Sequence, residues 1–584
     1  MPAIPTGRRS ALRPTRVPDF DEAAGGVGAY FLSAARRHPA RCFVDSPGLQ
    51  LTFDDAVARV AEIAGALEAA GLRRGDRVAC YCNDQVPLVL FLLACALGGV
   101  LPCPVSTVFS YDFLLRGVMQ RLGVRHVFTA PGRARSLRAL GVIPLCLVAD
   151  DATDAIALTG AGAQPRSRSA RELLERASER ISAGDPLLIA TTAGSTGLPR
   201  LVVRRHTGPL RYAHHVGDAL RDARAEVPRM LLLAALTHAF GLHMFATALR
   251  LGATLCVPTR LDTAASLDEI RALDPTILPL VPRVQRALYQ QAVAGDPSAR
   301  LFGPGAEVVC SAGGAPPLAV LARIQDDGLD VLEFYGSTEA SLVALTPRGA
   351  WRPGRAGKPV DDADVRFAPD GEILVRSPGL FIEYFGDAEA TRAAMTDDGY
   401  LRTGDHGRLD ADGYLEVAGR KAALLKLAEG SALYPDRIED LVEGLPWVRQ
   451  AILVGDDRPY LVALITVAPE VDGLGAAALG AHGHVPPGDA PAVYQRAAAA
   501  LGELNRGLER PERIARFALF ARPFGDPIHA PVAGAKIRRD RAAAEARFAA
   551  ILRTLYAAPC AQPGSGPDPT QVPDPAPPCT EGPR

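Results

Sequence analysis

The chain has 584 residues, a formal net charge of -1 and 48% apolar residues. That length exceeds what one ordinary core organises, so at least two domains are expected. A near-neutral charge with no dominant basic patch argues against a primary nucleic-acid role. The ten cysteines are scattered with no C-x-x-C pair, which fits buried free thiols in a reducing, cytoplasmic compartment better than a disulfide framework or a zinc site.

The first twenty residues carry Arg8, Arg9, Arg13 and Arg16 but no apolar core, and read as a disordered tail rather than a secretory signal. From Asp21 to Ala70 the pattern is helical, broken by Gly48 and a short strand at Leu51-Thr52-Phe53. Val78–Cys82 is an apolar strand, and the apolar run Pro87–Val100 follows it. The run falls short of the ~20 residues a membrane span needs, so it is expected as a helix buried in an α/β core. Further strands at Val100–Val105, Val124–Phe128 and Val142–Val148 alternate with helical or loop segments, which implies a largely parallel, doubly wound sheet. The polar stretch Asp151–Arg180 reads as a peripheral connection.

Pro186–Ala190 is a short buried strand running into Thr191-Thr192-Ala193-Gly194-Ser195-Thr196-Gly197-Leu198-Pro199-Arg200. Glycines let a backbone turn tightly around a ligand, and successive N–H groups form an anion-binding concavity. The hydroxyls add donors and Arg200 adds charge, a composition suited to a polyphosphate. No Gly-Lys-Ser/Thr tripeptide follows, so this is not the P-loop. The strand Met230–Ala235 leads to His238, at the kind of strand end where α/β sheets bind ligands. Strands are expected at Thr254–Val257 and Ile277–Leu280, and Val308–Cys310 enters a turn at Gly313-Gly314. Val331–Phe334 is read as a strand followed by a glycine turn carrying Thr338, a phosphate donor, and Glu339, a hard oxygen ligand for Mg²⁺. Taken alone, His238 is better explained as a structural histidine and Glu339 as a helix-start carboxylate. Asp405 then offers a carboxylate for a ribose diol, and Arg420 a supporting cation. Asp412-Gly413 marks a hairpin between them.

From Lys421 the chain changes to short strands and helices, the signature of a small α+β domain, with Val448–Val454 and Tyr460–Val467 as paired strands. Gly473–Ala490 reads as an exposed insertion, Ala515–Ala521 as a strand, and the segment after Lys536 as a helix to about Tyr556. The Pro- and Gly-rich tail after Ala558 is expected to be disordered. The domains are therefore set at 1–20 (tail), 21–420 (large), 421–557 (small) and 558–584 (tail).

Together, Thr192–Arg200, Tyr335-Gly336-Ser337-Thr338-Glu339, Thr403-Gly404-Asp405, Gly419-Arg420-Lys421 with Lys426, and Lys536 before Ile537-Arg538-Arg539 resemble the motifs of the adenylate-forming superfamily. Its members include acyl-CoA synthetases, luciferases and peptide-synthetase adenylation domains. The match runs from about Asp21 to Tyr556. The resemblance implies a large domain of doubly wound sheets and a small, mobile C-terminal domain with the site between them. It also implies roles. The loop with Thr192, Gly194, Ser195, Thr196, Gly197 and Arg200 wraps the ATP phosphates. Gly314, Glu333 and Phe334 border the adenine, Thr338 meets the α-phosphate, and Glu339 holds Mg²⁺. Asp405 and Arg420 hold the ribose, Lys426 belongs to the same cofactor set, Lys536 reaches the reacting carboxylate, and His238 borders the acyl pocket.

The chain departs from the family pattern in three places. Arg200 stands for the usual lysine, Ala422 for the usual hinge Asp or Lys, and Ala535 precedes Lys536 where threonine or serine is usual. The run Leu425–Gly430, with Pro435, Ile438-Glu439 and Arg458–Leu461, resembles the long-chain acyl-CoA synthetase branch. His214-His215-Val216-Gly217-Asp218 resembles the His-His-x-x-x-Asp acyltransferase signature but is one residue short, and is read as a helix face. The expectation is an ATP- and Mg²⁺-dependent ligase that activates a fatty or other hydrophobic acid and passes it to coenzyme A. The alternatives are loading of an acyl carrier protein, or a degenerate binder without turnover.

Overall fold

The computed structural model describes residues 26–105, 112–138, 141–146, 156–158, 167–192, 199–221, 227–259, 263–294, 302–314, 316–445, 447–467, 483–522, 524 and 541–557. Both expected tails, Gly194, Ser195, Thr196, Gly197 and Lys536 lie outside the described residues.

The architecture is α/β with a large N-terminal and a smaller C-terminal part. The first part contains two parallel sheets. One has the strand order Leu101–Pro104, Arg77–Tyr81, His126–Thr129, Ile143–Cys146, Ile156–Ala157. The other has nine strands, ordered Lys358–Pro359, Ser341–Leu345, Asp330–Ser337, Val308–Ser311, Ile277–Leu280, Arg229–Leu231, Thr254–Cys256, Cys42–Ser46, Leu49–Thr52. Its centre is parallel, and its two ends are antiparallel hairpins. The helix Gln85–Gly98 is buried along Leu88–Leu97, as its unbroken apolar run requires. Among the described residues no helix is long and apolar enough to cross a membrane.

Helix Phe53–Ala69 shows how local sequence sets an element. Thr52 Oγ1 accepts the Asp55 N–H at 3.1 Å, and Asp55 returns the bond to the Thr52 N–H at 2.9 Å. This capping box is worth about 1 kcal/mol and holds the Asp55 carboxyl below its usual range.

Two antiparallel layers join the parallel sheets. One is the three-stranded set Glu383–Tyr384, Arg200–Arg205, Pro186–Thr192, and the other is the four-stranded set Asp364–Phe367, Glu372–Arg376, Leu401–Leu409, Leu415–Arg420. The C-terminal part folds around Val448–Val454, Leu461–Val467, Ile514–Phe520 and His484–Val485. It has its own buried cluster from Leu425 to Leu519, separate from the cluster that runs from Val27 to Leu415.

Several expectations are corrected. The polar stretch before Arg180 contains a helix, Ser167–Ser178, because Ala170 and Leu174 bury one face and Arg171 pairs with Asp54 at 2.5 Å. The helical reading of 21–70 hides strand Cys42–Ser46, and the strand at 230–235 is only Arg229–Leu231. The glycine turn after Phe334 is instead a continuation of strand Asp330–Ser337. A Cβ at Gly336 would sit 1.9 Å from Ser341 O, so glycine serves close strand approach here. The end of the expected insertion, His484–Val485, pairs with Ile514–Phe520. The final helix is two, Arg541–Arg547 and Ala549–Ala557. The eight described cysteines are free.

Candidate active site

The parallel strands Arg229–Leu231, Ile277–Leu280, Val308–Ser311 and Asp330–Ser337 point their carboxyl ends to one edge, where open α/β sheets bind ligands. His238, Gly314, Thr338 and Glu339 all follow such strand ends. His238 caps the helix Ala239–Leu251 with extended backbone, and its imidazole has no partner among the described residues. Burial lowers its pKa.

The glycine-rich segment is the connection of an antiparallel hairpin, with Thr192 paired to Arg200. Its described ends are tied to the five-stranded sheet region. Thr191 Oγ1 donates to Pro104 O at 3.1 Å, and Arg121 Nη1 donates to Pro199 O at 2.7 Å. Arg200 is exposed, with its guanidinium carbon 5.1 Å from the Tyr384 ring centre. The Tyr384 hydroxyl donates to Glu339 Oε1 at 3.0 Å. A buried tyrosine thus links the loop's cation to the candidate metal carboxylate. Burial and the Glu339 charge push that phenol's pKa up. Thr338 sits on the same turn as Glu339, half-buried, with its hydroxyl unpartnered among the described residues.

Asp405 is also brought into the group. Its Oδ2 accepts from the Tyr335 hydroxyl at 2.8 Å, and its Oδ1 lies 3.0 Å from Arg420 Nε. Arg420 Nη1 further donates to Thr403 O at 3.0 Å, which fixes the guanidinium against the hairpin. Burial and the neighbouring carboxylate keep the Tyr335 phenol protonated.

Glu333 and Phe334 do not converge. Successive strand side chains leave on opposite faces. Phe334 packs on Tyr212 and Phe240, with ring centres 5.7 and 6.2 Å away. Glu333 is buried and accepts from Trp351 Nε1. Burial raises the Glu333 carboxyl to about 7, partly opposed by the indole bond. Lys426 is exposed in the C-terminal part. Its backbone N–H donates to Asp456 Oδ1 at 3.0 Å, and among the described residues no bond joins it to Asp405 or Arg420. The His-His run resolves as structural. His214 faces Asp218 on its own helix, and His215 joins the buried Arg211–Asp362 pair at 2.9 Å.

Sequence reading missed Tyr335, Tyr384, Arg121 and Trp351. Tyr335 stands inside a quoted motif and offered a signal. The other three contact residues 18 to 78 positions away, and no local pattern marks them.

Beneath the Thr338–Glu339 turn lies a fully buried arginine. Arg204 Nη2 donates to His243 Nε2 at 2.9 Å. Desolvating a guanidinium costs several kcal/mol, and burial lowers the Arg204 pKa to about 10, opposed by the charge of Glu339. Ser341 closes the turn at a φ of 61°, a left-handed conformation costing about 1–3 kcal/mol in a non-glycine residue.

At the junction of the two parts, Lys421 Nζ reaches Asp370 at 2.5 Å and buried Glu372 at 3.1 Å. The Tyr434 hydroxyl bonds His406 Nδ1, and the Tyr434 ring packs so tightly on Gly419 that a Cβ there would sit 2.7 Å from it. Arg286 lies 3.9 Å from Asp440 across the same boundary.

Comparison with known proteins agrees with this geometry. The family model described as AMP-binding enzyme matches residues 31–385, and that of the AMP-binding enzyme C-terminal domain matches 423–559. A feruloyl-CoA synthase of Amycolatopsis is 30% identical over 450 residues, covering 74% of this chain and 86% of that protein. A long-chain-fatty-acid–CoA ligase of Mycobacterium tuberculosis is 27% identical over 492 residues, covering 73% and 79%. An anthranilate CoA ligase solved with anthranoyl-AMP has a TM-score of 0.71 at 19% identity, covering 90% of this chain and 98% of that one, a likeness of fold. The chain therefore belongs to the adenylate-forming superfamily, as an acyl-CoA-synthetase-like member of its AMP-binding enzymes.

Proposed function

We propose that the protein is an AMP-forming acid–CoA ligase acting on a hydrophobic acid, fatty or aryl. The observation that carries this is a pair of contact chains, Arg200–Tyr384–Glu339 and Tyr335–Asp405–Arg420, that meet at the strand Asp330–Ser337 and the turn after it, which carries Thr338. Relatives named for fatty, feruloyl and indoleacetate substrates support the substrate class.

In the first half-reaction a carboxylate oxygen attacks the ATP α-phosphorus, and the bond to the bridging oxygen breaks to release pyrophosphate. Charge spreads over phosphoryl oxygens, so cations and N–H donors aimed at them are the main requirement. The N–H groups of the loop with Gly194, Ser195, Thr196 and Gly197 cradle the phosphates beside Thr192 and Arg200. The Thr338 hydroxyl, unpartnered among the described residues, donates to the α-phosphate. Mg²⁺ usually binds through one or two carboxylates plus phosphates and waters, and a half-buried Glu339 with one oxygen on Tyr384 fits that donor set. When bound there, the ion would neutralise charge on the phosphoryl oxygens. Asp405, oriented by Tyr335 and Arg420, accepts from the ribose diol. Gly314 and the Glu333–Phe334 backbone border the adenine, and His238 borders the acid. Lys536 carries positive charge to the reacting carboxylate. In the second half-reaction the coenzyme A sulfur attacks the acyl carbon and AMP leaves. We place the hinge for the intervening rotation at Ala422, two residues after Arg420, with Lys426 on the moving side.

The test is acid-dependent pyrophosphate release with ATP and Mg²⁺ over fatty, aryl and amino acids, with and without coenzyme A. AMP and acyl-CoA formed with one hydrophobic class support the reading. Pyrophosphate without acyl-CoA redirects it to a carrier-protein acceptor. ATP binding with no release across the panel overturns it.

A further inference from the structure

The turn that presents Thr338 and Glu339 is held from beneath by groups that neither half-reaction uses. Ser341, two residues after Glu339, is buried and adopts the left-handed φ noted above. Its hydroxyl donates to Gly208 O at 3.1 Å and lies 3.3 Å from His243 Nε2. Arg204 Nη2 donates to that same nitrogen. A guanidinium has no acceptor, so Nε2 must accept, and the imidazole proton sits on Nδ1. Burial, with Arg204 and Arg211 beside it, holds His243 well below the ordinary histidine range, so it stays neutral. The Tyr212 ring stacks on His243 at 4.4 Å. From the other side Gly336 closes on Ser341 O, and within the turn the Ala340 N–H donates to Ser337 Oγ at 3.0 Å.

We propose that Arg204, His243 and Ser341 are positioning residues that lock the Ser337–Ser341 turn, so that Thr338 and Glu339 are presented in one orientation before substrate arrives. This rests on the roles given above to Thr338 and Glu339. A turn of small residues left to itself samples several conformers, and a displacement of about 1 Å at a reacting centre costs on the order of 10²-fold. A strained residue persists only where its surroundings over-determine it, and such residues cluster at functional sites. Here the over-determination is visible: one serine is bonded to a helix carbonyl and lies beside an imidazole fixed by a buried cation.

Ser341→Gly in the full chain tests this, because glycine accepts the backbone angle without strain and lacks the hydroxyl. The melting temperature is expected to stay within a few degrees of wild type. The half-saturating Mg²⁺ concentration for ATP binding by calorimetry and for pyrophosphate release should rise on the order of 10-fold. Hydrogen exchange at the Glu339–Ser341 amides should quicken. His243→Gln, whose side-chain oxygen can accept from Arg204, should keep the wild-type Mg²⁺ response where His243→Leu loses it. A wild-type Mg²⁺ response and amide protection in Ser341→Gly overturn the proposal, as does a shift seen only in variants that also lose folded protein. Glu339→Gln separates the two levels. An unchanged Mg²⁺ response there overturns the role of Glu339 and the proposal with it. A raised requirement there, beside an unchanged one in Ser341→Gly, overturns the proposal alone.

Discussion

Two hairpins carry Thr338 with Glu339 and Asp405 with Arg420, and they are anchored in opposite ways. The Ser337–Ser341 turn rests on a desolvated network in which Arg204 is 1% exposed. The Leu401–Arg420 hairpin ends in solvent, where the Arg420 side chain is 50% exposed and the next residue, Lys421, is held by ion pairs to Asp370 and Glu372. Buried bonds resist exchange with water, whereas an exposed pair such as Lys421–Asp370 is worth roughly 0–1 kcal/mol and is screened by salt. The first arrangement suits groups that must meet developing charge at a set place. The second suits a junction whose contacts break and re-form.

Substitutions can sharpen this contrast. The largest effects are expected where charge is stabilised. Glu339→Gln on the pinned turn and Lys536→Ala on the C-terminal side should each slow adenylation on the order of 10²–10³-fold. Lys536→Ala should spare thioester formation from preformed acyl-adenylate. Equal loss in both steps, read by single-turnover kinetics, would remove the assigned role. Next, Asp405→Ala removes the acceptor shared by Tyr335 and Arg420 and should raise the KM for ATP about 10- to 100-fold, with the KM for acid unmoved. Unchanged ATP affinity would count against the ribose assignment.

A smaller effect is expected on stability. Burial lifts the Glu333 carboxyl from 4.5 to about 7, so the folded state holds its proton more tightly than the unfolded chain. That contribution is full below pH about 4.5 and is lost as pH rises through about 7. Glu333→Gln cannot ionise and keeps an acceptor for Trp351. It should match wild type at pH 4.5 and exceed it by about 3 kcal/mol at pH 8, by urea unfolding at both values. The smallest effect is at the junction. Lys421→Ala should change the ratio of the two half-reaction rates by no more than about 5-fold, and that change should fade in high salt. A larger, salt-insensitive change would mean the junction is anchored like the turn and would erase the contrast.

Much of the chain was legible before folding. The parallel strands at Val78, Val308 and Val331, the buried helix after Pro87, and the paired strands at Val448 and Tyr460 all appear where periodicity put them, because burial writes itself into local pattern. The antiparallel strands Lys358–Pro359, Asp364–Phe367 and Glu383–Tyr384 did not, since each is too short for a period to show. Helix Ser167–Ser178 was hidden because its apolar face is narrow and its partners lie more than a hundred residues away.

For the site, the order and spacing of glycines, hydroxyls, carboxylates and arginines along the chain determined the family and named the residues. Only the tertiary structure decided which of them meet. It set Tyr384 between Arg200 and Glu339, tied Asp405 to Tyr335, turned Glu333 away from Phe334, and buried Arg204 under a strained serine. The reason is physical. Local sequence controls backbone angle and which face is apolar, over a few residues. The desolvation that makes a cation costly, or a carboxyl hard to ionise, depends on everything packed around it.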